Sequence, residues 1–484
     1  MAAKRAKVKV KSKARAAASS SAATKGLTTA ARKRDIKNFV RQLQVERRSR
    51  THKQRAGWFH ARVSWPLRDR SAARLHAERR RAERSLPAAP VPAAAQWQCA
   101  GPLNIGGRAT AIVCDPRALD RILLGTAGGG VWKSSDAGRN WKSTMRKHEH
   151  NIGALALDPQ NPKIVYYGTG EANLSTDSYA GIGLYKSVNC GSTWQLVASS
   201  AKTGIPTRIG ALAVDPFDSS RIFLGGVSHA YGDQTISSGG LFRSADGGRN
   251  WTPVDFVSGH YWCHSVEFHP ARRGWVFATI TERGTRNGIW VSQDGGSTWS
   301  QANAGLPPAD GFGRTRLAIA PSQPDTVYAI AALADSDELL GIFRSDDAGG
   351  NWRDVTSNFA SESQMSYGLA LAIHPQNPDY VLCGGVDLQL TINGGGTWRT
   401  VTRWYAERDA DNYAHADHHA LLMPPALPGR VYDANDGGLD VSEDGGLTGT
   451  IAARASAARC STTSRSPNPI LASTAAVRRT TARC

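Results

Sequence analysis

Cysteine is scarce in this chain of 484 residues, and its spacing is irregular. The seven cysteines are Cys99, Cys114, Cys190, Cys263, Cys383, Cys460 and Cys484. They form no CxxC or knuckle pattern, which argues against a disulfide framework or a zinc ribbon. No apolar run is long enough to span a membrane. The basic first thirty residues lack the apolar core of a secretion signal, so we expect a cytoplasmic or non-classically exported protein.

Acidic residues are nearly missing from residues 1–86, which hold 26 Lys/Arg against 5 Asp/Glu. The whole chain has a net charge of +19, so the remainder is close to neutral. We expect this arm to be disordered in part and helical in part, since residues 32–50 carry one apolar stripe and residues 71–85 a second helical pattern. Such an arm suits nucleic acid or an anionic surface, and equally a solvated lead-in helix.

An eight-residue pattern, Ser/Thr-x-Asp/Asn-x-Gly-x-x-Trp, recurs after a Pro/Ala-rich linker at residues 87–96. We call it the box. Its third position is held in turn by Asp136, Asn189, Asp246, Asp294, Asp347, Asn393 and Asp444. An Asp can accept hydrogen bonds from the amides of its own turn, Gly can adopt a positive φ, and Trp can anchor the turn beneath a sheet. Successive boxes are 46 to 57 residues apart, a period typical of propeller blades.

Each period contains four short strand-like stretches, and the box joins the third stretch to the fourth. Seven periods predict an all-β, seven-bladed propeller of four-stranded antiparallel blades over residues 97–449. The seventh box has Gly449 in place of Trp. The stretch Gln96-Trp97-Gln98-Cys99 matches Thr193-Trp194-Gln195-Leu196 and is predicted to supply the missing fourth strand, which closes the ring.

The pattern stops after Thr448. Residues 450–484 contain no Asp, Glu, Gly or aromatic residue but six Arg. They form an irregular tail, either disordered or the product of a frameshift with lost blades, and the frameshift is the favoured interpretation.

The boxes resemble the Asp-box, or bacterial neuraminidase repeat, of sialidases, xyloglucanases and sortilin-type propellers. Residues 101–108, 168–173 and 417–421 are most similar to a bacterial group with sortilin-like repeats. The resemblance implies that the boxes are structural and that they lie on the face opposite the ligand site.

Aligning the seven periods puts one residue just before each first strand, at one end of the predicted central funnel. The residues predicted there to bind a glycan or a peptide are Arg108, Asn151, Arg208, Trp262, Tyr367 and Asp417. The loops between second and third strands are predicted to bring to the same face Glu171, Asp177, His229, Tyr231, Asp233 and Asp387.

Two chemistries are compatible with these residues. The pairs Glu171 with Asp417, or Asp177 with Asp387, could supply the acid and the base of a glycoside hydrolase. A sialidase-like carboxylate clamp would use three arginines, Arg108, Arg208 and Arg314 or Arg316. The Arg-Ile-Pro signature of sialidases is missing, however, and residues 106–109 read Gly-Gly-Arg-Ala in its place.

The dense polar cluster from His415 to His419 contains the residue types that bind metal ions. On a strand, His418 and His419 would point to opposite sides, so we interpret the cluster as a connection between blades and expect neither metal nor cofactor. The leading hypothesis is a monomeric, non-enzymatic propeller that binds a glycan or peptide on its funnel face. The alternatives are a glycoside hydrolase of the sialidase or xyloglucanase type, and a basic arm that tethers the propeller to nucleic acid or an anionic surface.

Overall fold

A computed structural model describes residues 107–145, 148, 150–173, 175, 178–227, 239–255, 261–282, 284–407 and 410–447, together with residues 77, 78, 80, 81 and 84 of the arm, which are helical. Trp97, Asp177, His229, Tyr231, Asp233, Gly449 and the tail 450–484 lie outside the described residues. None of the described helices is long and apolar enough to cross a membrane. Cys114, Cys190, Cys263 and Cys383 are free thiols.

Seven antiparallel sheets follow one another along the chain, and each is formed by consecutive strands. The first strands are β1 (Ala109–Asp115), β5 (Ile152–Leu157), β9 (Ile209–Asp215), β13 (Trp262–Phe268), β17 (Phe312–Ile319), β21 (Ala370–Ile373) and β25 (His418–Leu422). The second strands are β2 (Ala118–Thr126), β6 (Val165–Thr169), β10 (Asp218–Gly226), β14 (Val276–Thr281), β18 (Val327–Leu333), β22 (Val381–Gly384) and β26 (Val431–Asn435).

The third strands lead into the boxes, and the fourth strands follow them. The third strands are β3 (Gly130–Ser134), β7 (Gly183–Ser187), β11 (Gly240–Ser244), β15 (Gly288–Ser292), β19 (Leu339–Ser345), β23 (Leu388–Thr391) and β27 (Gly438–Ser442). The fourth strands are β4 (Lys142–Ser143), β8 (Gln195–Ser199), β12 (Thr252–Pro253), β16 (Ser300–Gln301), β20 (Arg353–Asp354) and β24 (Arg399–Thr400). A short helix, α1 (Ser200–Thr203), and two 3-10 turns, Gly284–Arg286 and Ala309–Gly311, complete the described elements.

The predicted seven-bladed propeller is therefore confirmed. The first strands of neighbouring blades pack side by side, and β1 of blade 1 packs on β25 of blade 7, so the ring is closed. Within the described residues, blade 7 contains three strands, β25 to β27.

The second strands are deeply buried. Every residue of β6, β14, β22 and β26 is buried. Along β5, in contrast, buried and half-buried residues alternate. A second strand lies in the middle of its sheet and between two blades, while a first strand borders the axis, so alternate side chains keep part of their surface accessible.

The boxes share one hydrogen-bonded geometry. In all seven, the Ser or Thr hydroxyl donates to the Asp or Asn Oδ1 at 2.7–2.9 Å. The amide of the Gly at position five donates back to that hydroxyl at 2.8–3.0 Å. This Gly has a φ of 73° to 90° in every box, as its type predicts. Position four is also left-handed, even where it is Ala137, Cys190 or Ala348.

Candidate functional site

The residues before the first strands occupy equivalent places at the funnel face. The backbone carbonyls of Arg108, Asn151 and Arg208 accept amide hydrogen bonds from the residue that follows the second strand of the same blade, at 2.8–3.0 Å. Asp417 does the same at 3.2 Å and has a φ of 66°. The alignment of the periods put structurally equivalent positions together in these four blades. In blade 4 it is one position off, because Trp262 is the first residue of β13 and pairs with Thr281 as Ala109 pairs with Thr126.

A bidentate ion pair crosses from blade 1 to blade 2. The Arg108 Nε lies 2.7 Å from Glu171 Oε1, and Arg108 Nη2 donates to Glu171 Oε2 at 2.9 Å. Glu171 is fully buried. Arg108 Nη1 also donates to the hydroxyl of Tyr367 in blade 6, at 2.7 Å. This arrangement neutralises the Glu171 carboxylate inside the protein.

The connection continues into blade 7. The Tyr367 hydroxyl donates to Asp436 at 2.9 Å, and His419 Nε2 lies 2.8 Å from the same carboxylate. Burial alone would raise the pKa of Asp436, but the hydrogen bond to His419 and the charge of Arg108 lower it overall. Burial lowers the pKa of His419. Arg108, Glu171, Tyr367, His419 and Asp436, with the two residues described next, are called the axial cluster.

Asn173 and Arg314 complete the axial cluster. Asn173 Nδ2 lies 3.2 Å from His419 Nδ1, while Arg314 Nη2 donates to Asn173 Oδ1 at 2.8 Å. Arg314 Nη1 donates to the backbone carbonyl of Ser366 at 3.0 Å. Burial, with the neighbouring Arg316, lowers the pKa of Arg314 to about 9. Side chains of blades 1, 2, 5, 6 and 7 are therefore joined in one buried network.

The three-arginine clamp of a sialidase is not available in this arrangement. Arg108 is paired with Glu171, and Arg314 binds the protein's own acceptors. Arg316 Nη2 donates to the backbone carbonyl of His419 at 2.9 Å, and Arg208 is 2 % exposed. A substrate carboxylate would have to displace these partners.

The remaining predicted residues have varied surroundings. Asn151 and Asp417 are buried. Trp262 is half-buried with its ring edge-on to His264, at 6.1 Å between centroids. The neighbouring Tyr261 packs in the core and donates its hydroxyl to the carbonyl of Val254 at 2.6 Å. A ligand-binding role for Arg108, Asn151, Arg208, Trp262, Tyr367 and Asp417 stays a prediction.

The histidine cluster divides between two carboxylates. His418 Nδ1 lies 2.8 Å from Asp433, whereas His419 Nε2 lies 2.8 Å from Asp436. Burial disfavours the charged form of His418, but the carboxylate of Asp433 raises its pKa overall. Across the described residues, no group of three or more His, Cys, Asp or Glu is arranged to hold a metal ion.

A second polar site lies on the funnel face beside blade 6. Asp387, in the predicted loop between β22 and β23, is half-buried, and burial raises its pKa. Next to it is Glu362, in the loop between β20 and β21, which is 8 % exposed and accepts the amide of Val386 at 2.8 Å. Burial raises the pKa of Glu362 to about 7, although the amides of Val386 and Asp387 oppose the shift.

Two residues with exposed aromatic rings follow β24, and the backbone of the first contacts Asp387. Trp404 and Tyr405 are 52 % and 63 % exposed, with their rings perpendicular at 5.9 Å between centroids. The amide of Trp404 donates to Asp387 Oδ1 at 2.9 Å. We call Trp404, Tyr405, Asp387 and Glu362 the blade 6 site. Sequence reasoning found only Asp387, although an adjacent aromatic pair outside the box positions was a usable signal.

The fold and the residues of the funnel face define the class of protein. It is a seven-bladed propeller whose funnel face carries polar and aromatic side chains. No family model matches the chain. In sequence it is 26% identical over 356 residues to a xyloglucanase of Hypocrea jecorina, a match that covers 65% of this chain and 41% of that protein. It is 23% identical over 352 residues to a xyloglucanase of Acetivibrio thermocellus, over 63% of this chain and 39% of that protein.

Solved structures agree on the fold. A GH74 enzyme of Niastella koreensis has a TM-score of 0.55 and 21% identity, over 72% of this chain and 53% of that chain. The GH74 xyloglucanase of Xanthomonas campestris has a TM-score of 0.55 and 20% identity, over 72% and 54%. The chain is thus a seven-bladed propeller that is similar in sequence to xyloglucanases, and it spans about two fifths of the length of these relatives.

Proposed function

We propose that this chain is a glycoside hydrolase of the xyloglucanase type, which binds its polysaccharide at the blade 6 site. One observation carries the proposal: Trp404, one of two adjacent exposed aromatic residues, donates its amide to Asp387, and Asp387 lies next to Glu362, with the pKa of both carboxyl groups raised by burial. Flat aromatic faces pack against the C–H faces of sugar rings, and convergent carboxyl groups are what glycoside hydrolysis requires. The substrate class, xyloglucan, is suggested by the names of the relatives.

The two carboxyl groups suit different roles. Glu362, with a pKa of about 7, keeps its proton up to near neutral pH and would serve as the general acid that protonates the leaving oxygen. Asp387 is the more accessible group and accepts the amide of Trp404, which favours the ionised carboxylate, so it would serve as the base. The axial cluster lies outside this chemistry, because its Glu171 is already neutralised by Arg108.

A second candidate is a non-enzymatic glycan-binding propeller. It is favoured by the ion pair of Glu171, since among the described carboxylates predicted at the funnel Glu171 is the most buried and Arg108 removes it from catalysis. The likeness to sortilin-like bacterial repeat proteins, which rests on the boxes and on residues 101–108, 168–173 and 417–421, stays part of this candidate.

Binding and turnover are measured separately on the full chain. Calorimetry with xyloglucan, with unbranched cellulose oligosaccharides and with mannan tests recognition, and release of reducing ends tests hydrolysis. Turnover that is lost in Asp387→Asn and Glu362→Gln but kept in Asp354→Asn, an exposed residue of β20, would support the enzyme. Xyloglucan binding without reducing ends would support the second candidate, and the lack of both would refute the proposal.

A further inference from the structure

Two neighbouring arginines of strand β17 have no carboxylate partner. The acceptors of Arg314 are two backbone carbonyls and the side-chain amide oxygen of Asn173. The acceptor of Arg316 is the backbone carbonyl of His419. Across the described residues, neither guanidinium group forms an ion pair. We call Arg314 and Arg316 the arginine pair.

Other arginines of the core are compensated by acidic side chains. Arg108 pairs with the buried Glu171, and Arg344, which is also buried, lies 2.7 Å from Asp346. A buried charge without an opposite charge nearby is costly. Burial accordingly lowers the pKa of both members of the arginine pair, that of Arg314 to about 9. The arginine pair therefore lacks a counter-charge that comparable residues have.

The positive charge of the arginine pair also acts on a histidine of blade 4. His264 of β13 is buried, and its Nε2 lies 3.3 Å from Thr281 Oγ1. Burial, followed by the charges of Arg314 and Arg316, lowers the pKa of His264 well below its usual value. The imidazole is therefore neutral near pH 7, and the positive charge at this point comes from the two guanidinium groups.

Glu267 of β13 is the carboxyl group whose charge acts on Arg316. The next residue, Phe268, packs on Phe223 of blade 3 at 5.6 Å between ring centroids. Side chains alternate along a strand, so Glu267 is on the opposite face, toward blade 5. It is half-buried, and its carboxyl group forms neither a hydrogen bond nor an ion pair with the part of the chain that the structure describes. Glu267 and Arg316 therefore face each other without direct contact.

The arginine pair has N–H groups left for a ligand. Arg316 uses one Nη2 hydrogen for the carbonyl of His419, and its Nε and Nη1 hydrogens have no acceptor among the described residues. Arg316 is half-buried and belongs to a first strand, so its accessible surface borders the axis. A fork of charged N–H groups suits an anion. A small anion can use these hydrogens without displacing the partners that exclude a substrate carboxylate.

We propose that the arginine pair binds one small monovalent anion, of the size of chloride or nitrate, beside Glu267 at the axis of the propeller. The small accessible surface of Arg314 and Arg316 excludes a larger ligand. The bound anion supplies the negative charge that the described side chains do not bring into contact with the arginine pair. The site shares no residue with the blade 6 site, so it does not rest on the proposed carbohydrate activity.

Glu267 makes the binding of the anion depend on pH. Burial raises the pKa of Glu267 to about 7, and the charge of Arg316 opposes the shift. On the other side of β13, strand β9 contains one ionisable residue, Asp215, which pairs with Arg221, and β14 contains none. An ionised Glu267 repels the anion, so binding of the anion is coupled to uptake of a proton. The affinity should therefore fall about tenfold between pH 6 and pH 8.

Chloride is the probe, and it replaces gluconate, a larger anion, at constant ionic strength. At pH 6 we expect a saturable rise in the thermal unfolding midpoint of the full chain and a broader chlorine NMR line. Arg316→Gln should abolish both responses, whereas Arg353→Gln, at an exposed arginine of β20, should keep them. The lack of a response in the parent chain would overturn the proposal. A response that persists in Arg316→Gln would also overturn it, because chloride would then act on other cations, such as those of the basic arm.

Glu267→Gln supplies a second measurement that does not depend on the folding of Arg316→Gln. This variant should bind chloride at pH 8 about as tightly as the parent chain does at pH 6. Glu362→Gln is the control, because its carboxyl group also has a pKa of about 7, and it should keep the decrease in chloride affinity between pH 6 and pH 8. An unchanged pH dependence in Glu267→Gln would overturn the placement of the anion beside Glu267.

Discussion

Arg108 and Glu171 form a bidentate ion pair that joins blades 1 and 2 at the axis of the ring. Arg108 Nε lies 2.7 Å from Glu171 Oε1, and Arg108 Nη2 lies 2.9 Å from Glu171 Oε2. Glu171 has no exposed surface, so its charge is compensated from within the protein. The same guanidinium extends to Tyr367 of blade 6, which makes Arg108 the residue at which two branches of the axial cluster meet.

Removing the side chain of Arg108 alone should lower the free energy of unfolding more than removing Arg108 and Glu171 together. Arg108→Ala leaves a buried carboxylate without its cation, and we expect a loss of about 3 to 5 kcal/mol in the free energy of unfolding. Arg108→Met combined with Glu171→Leu removes both charges and should restore a large part of that loss. Urea unfolding of Arg108→Met, of Glu171→Leu and of the double variant measures the coupling energy between the two residues. Additive losses in the free energy of unfolding would contradict the assigned pair.

Stability should fall as pH rises from 5 to 7.5, in part because of Glu362. Its pKa is about 7 in the folded protein and near 4.3 in an unfolded chain, so the folded state binds the proton more tightly. This contribution is complete below the unfolded pKa and is lost as pH rises through 7, at most roughly 4 kcal/mol.

Glu362→Gln should therefore flatten the pH dependence between these limits. Glu267, whose pKa burial also raises to about 7, acts in the same window, and Glu267→Gln serves as the matched comparison. Urea unfolding at pH 5 and pH 7.5 measures both effects. A slope that Glu362→Gln leaves unchanged would show that this carboxyl group is not held in its protonated form.

Removing the hydroxyl group of a box should lower the stability of the protein, although the turn itself faces solvent. Ser292 is buried and receives the amide of Gly296 while donating to Asp294. Ser292→Ala leaves a buried amide unpaired, and we expect a loss of about 1 to 3 kcal/mol by chemical unfolding. Ser300→Ala, at an exposed position of β16, is the control and should stay within about 0.5 kcal/mol of the parent.

Trp404→Ala should weaken polysaccharide binding without loss of stability. The ring is 52 % exposed, so its removal uncovers little core, whereas a stacked sugar would lose its platform. Calorimetry should show at least a tenfold weaker affinity, with an unchanged unfolding midpoint. Trp262→Ala, at the other candidate ring, is the comparison, and equal losses in both variants would move the sugar site toward the axis.

Retention of the full chain on DNA should decrease steeply between 50 and 200 mM salt, because residues 1–86 carry 26 Lys/Arg against 5 Asp/Glu. Deletion of residues 1–86 should abolish that retention. Binding that survives the deletion would assign the effect to the propeller, and anionic vesicles in place of DNA distinguish a membrane surface from a nucleic acid.

The fold was predictable because its signal is repeated. The box sequence marks the same turn seven times, and the backbone at each Gly requires the residue that stands there. The equivalence of Arg108, Asn151 and Arg208 followed from the same period. Which strands are most deeply buried could not be predicted in this way. Composition distinguishes apolar strands from polar ones, but it does not distinguish the middle strand of a sheet from the strand beside the axis.

The partners at the site depend on contacts between distant parts of the chain. Arg108 and Tyr367 are 259 positions apart, and nothing local in the sequence pairs them. Glu362 and Trp404 lie in loops between blades, where the period provides no alignment. Asp387 alone was expected, because its loop joins two strands of one blade and inherits their register.

The positions of the tryptophans show that the core of one blade is completed by a side chain of the neighbouring blade. Trp352 belongs to blade 5 by its strand, yet its indole is bonded to Ala302 of blade 4. Blade 5 therefore supplies the indole for its seam with blade 4 and depends on Trp398 of blade 6 for the indole of its other seam. A duplication or deletion of one whole period adds or removes one seam together with one indole, so every seam stays filled.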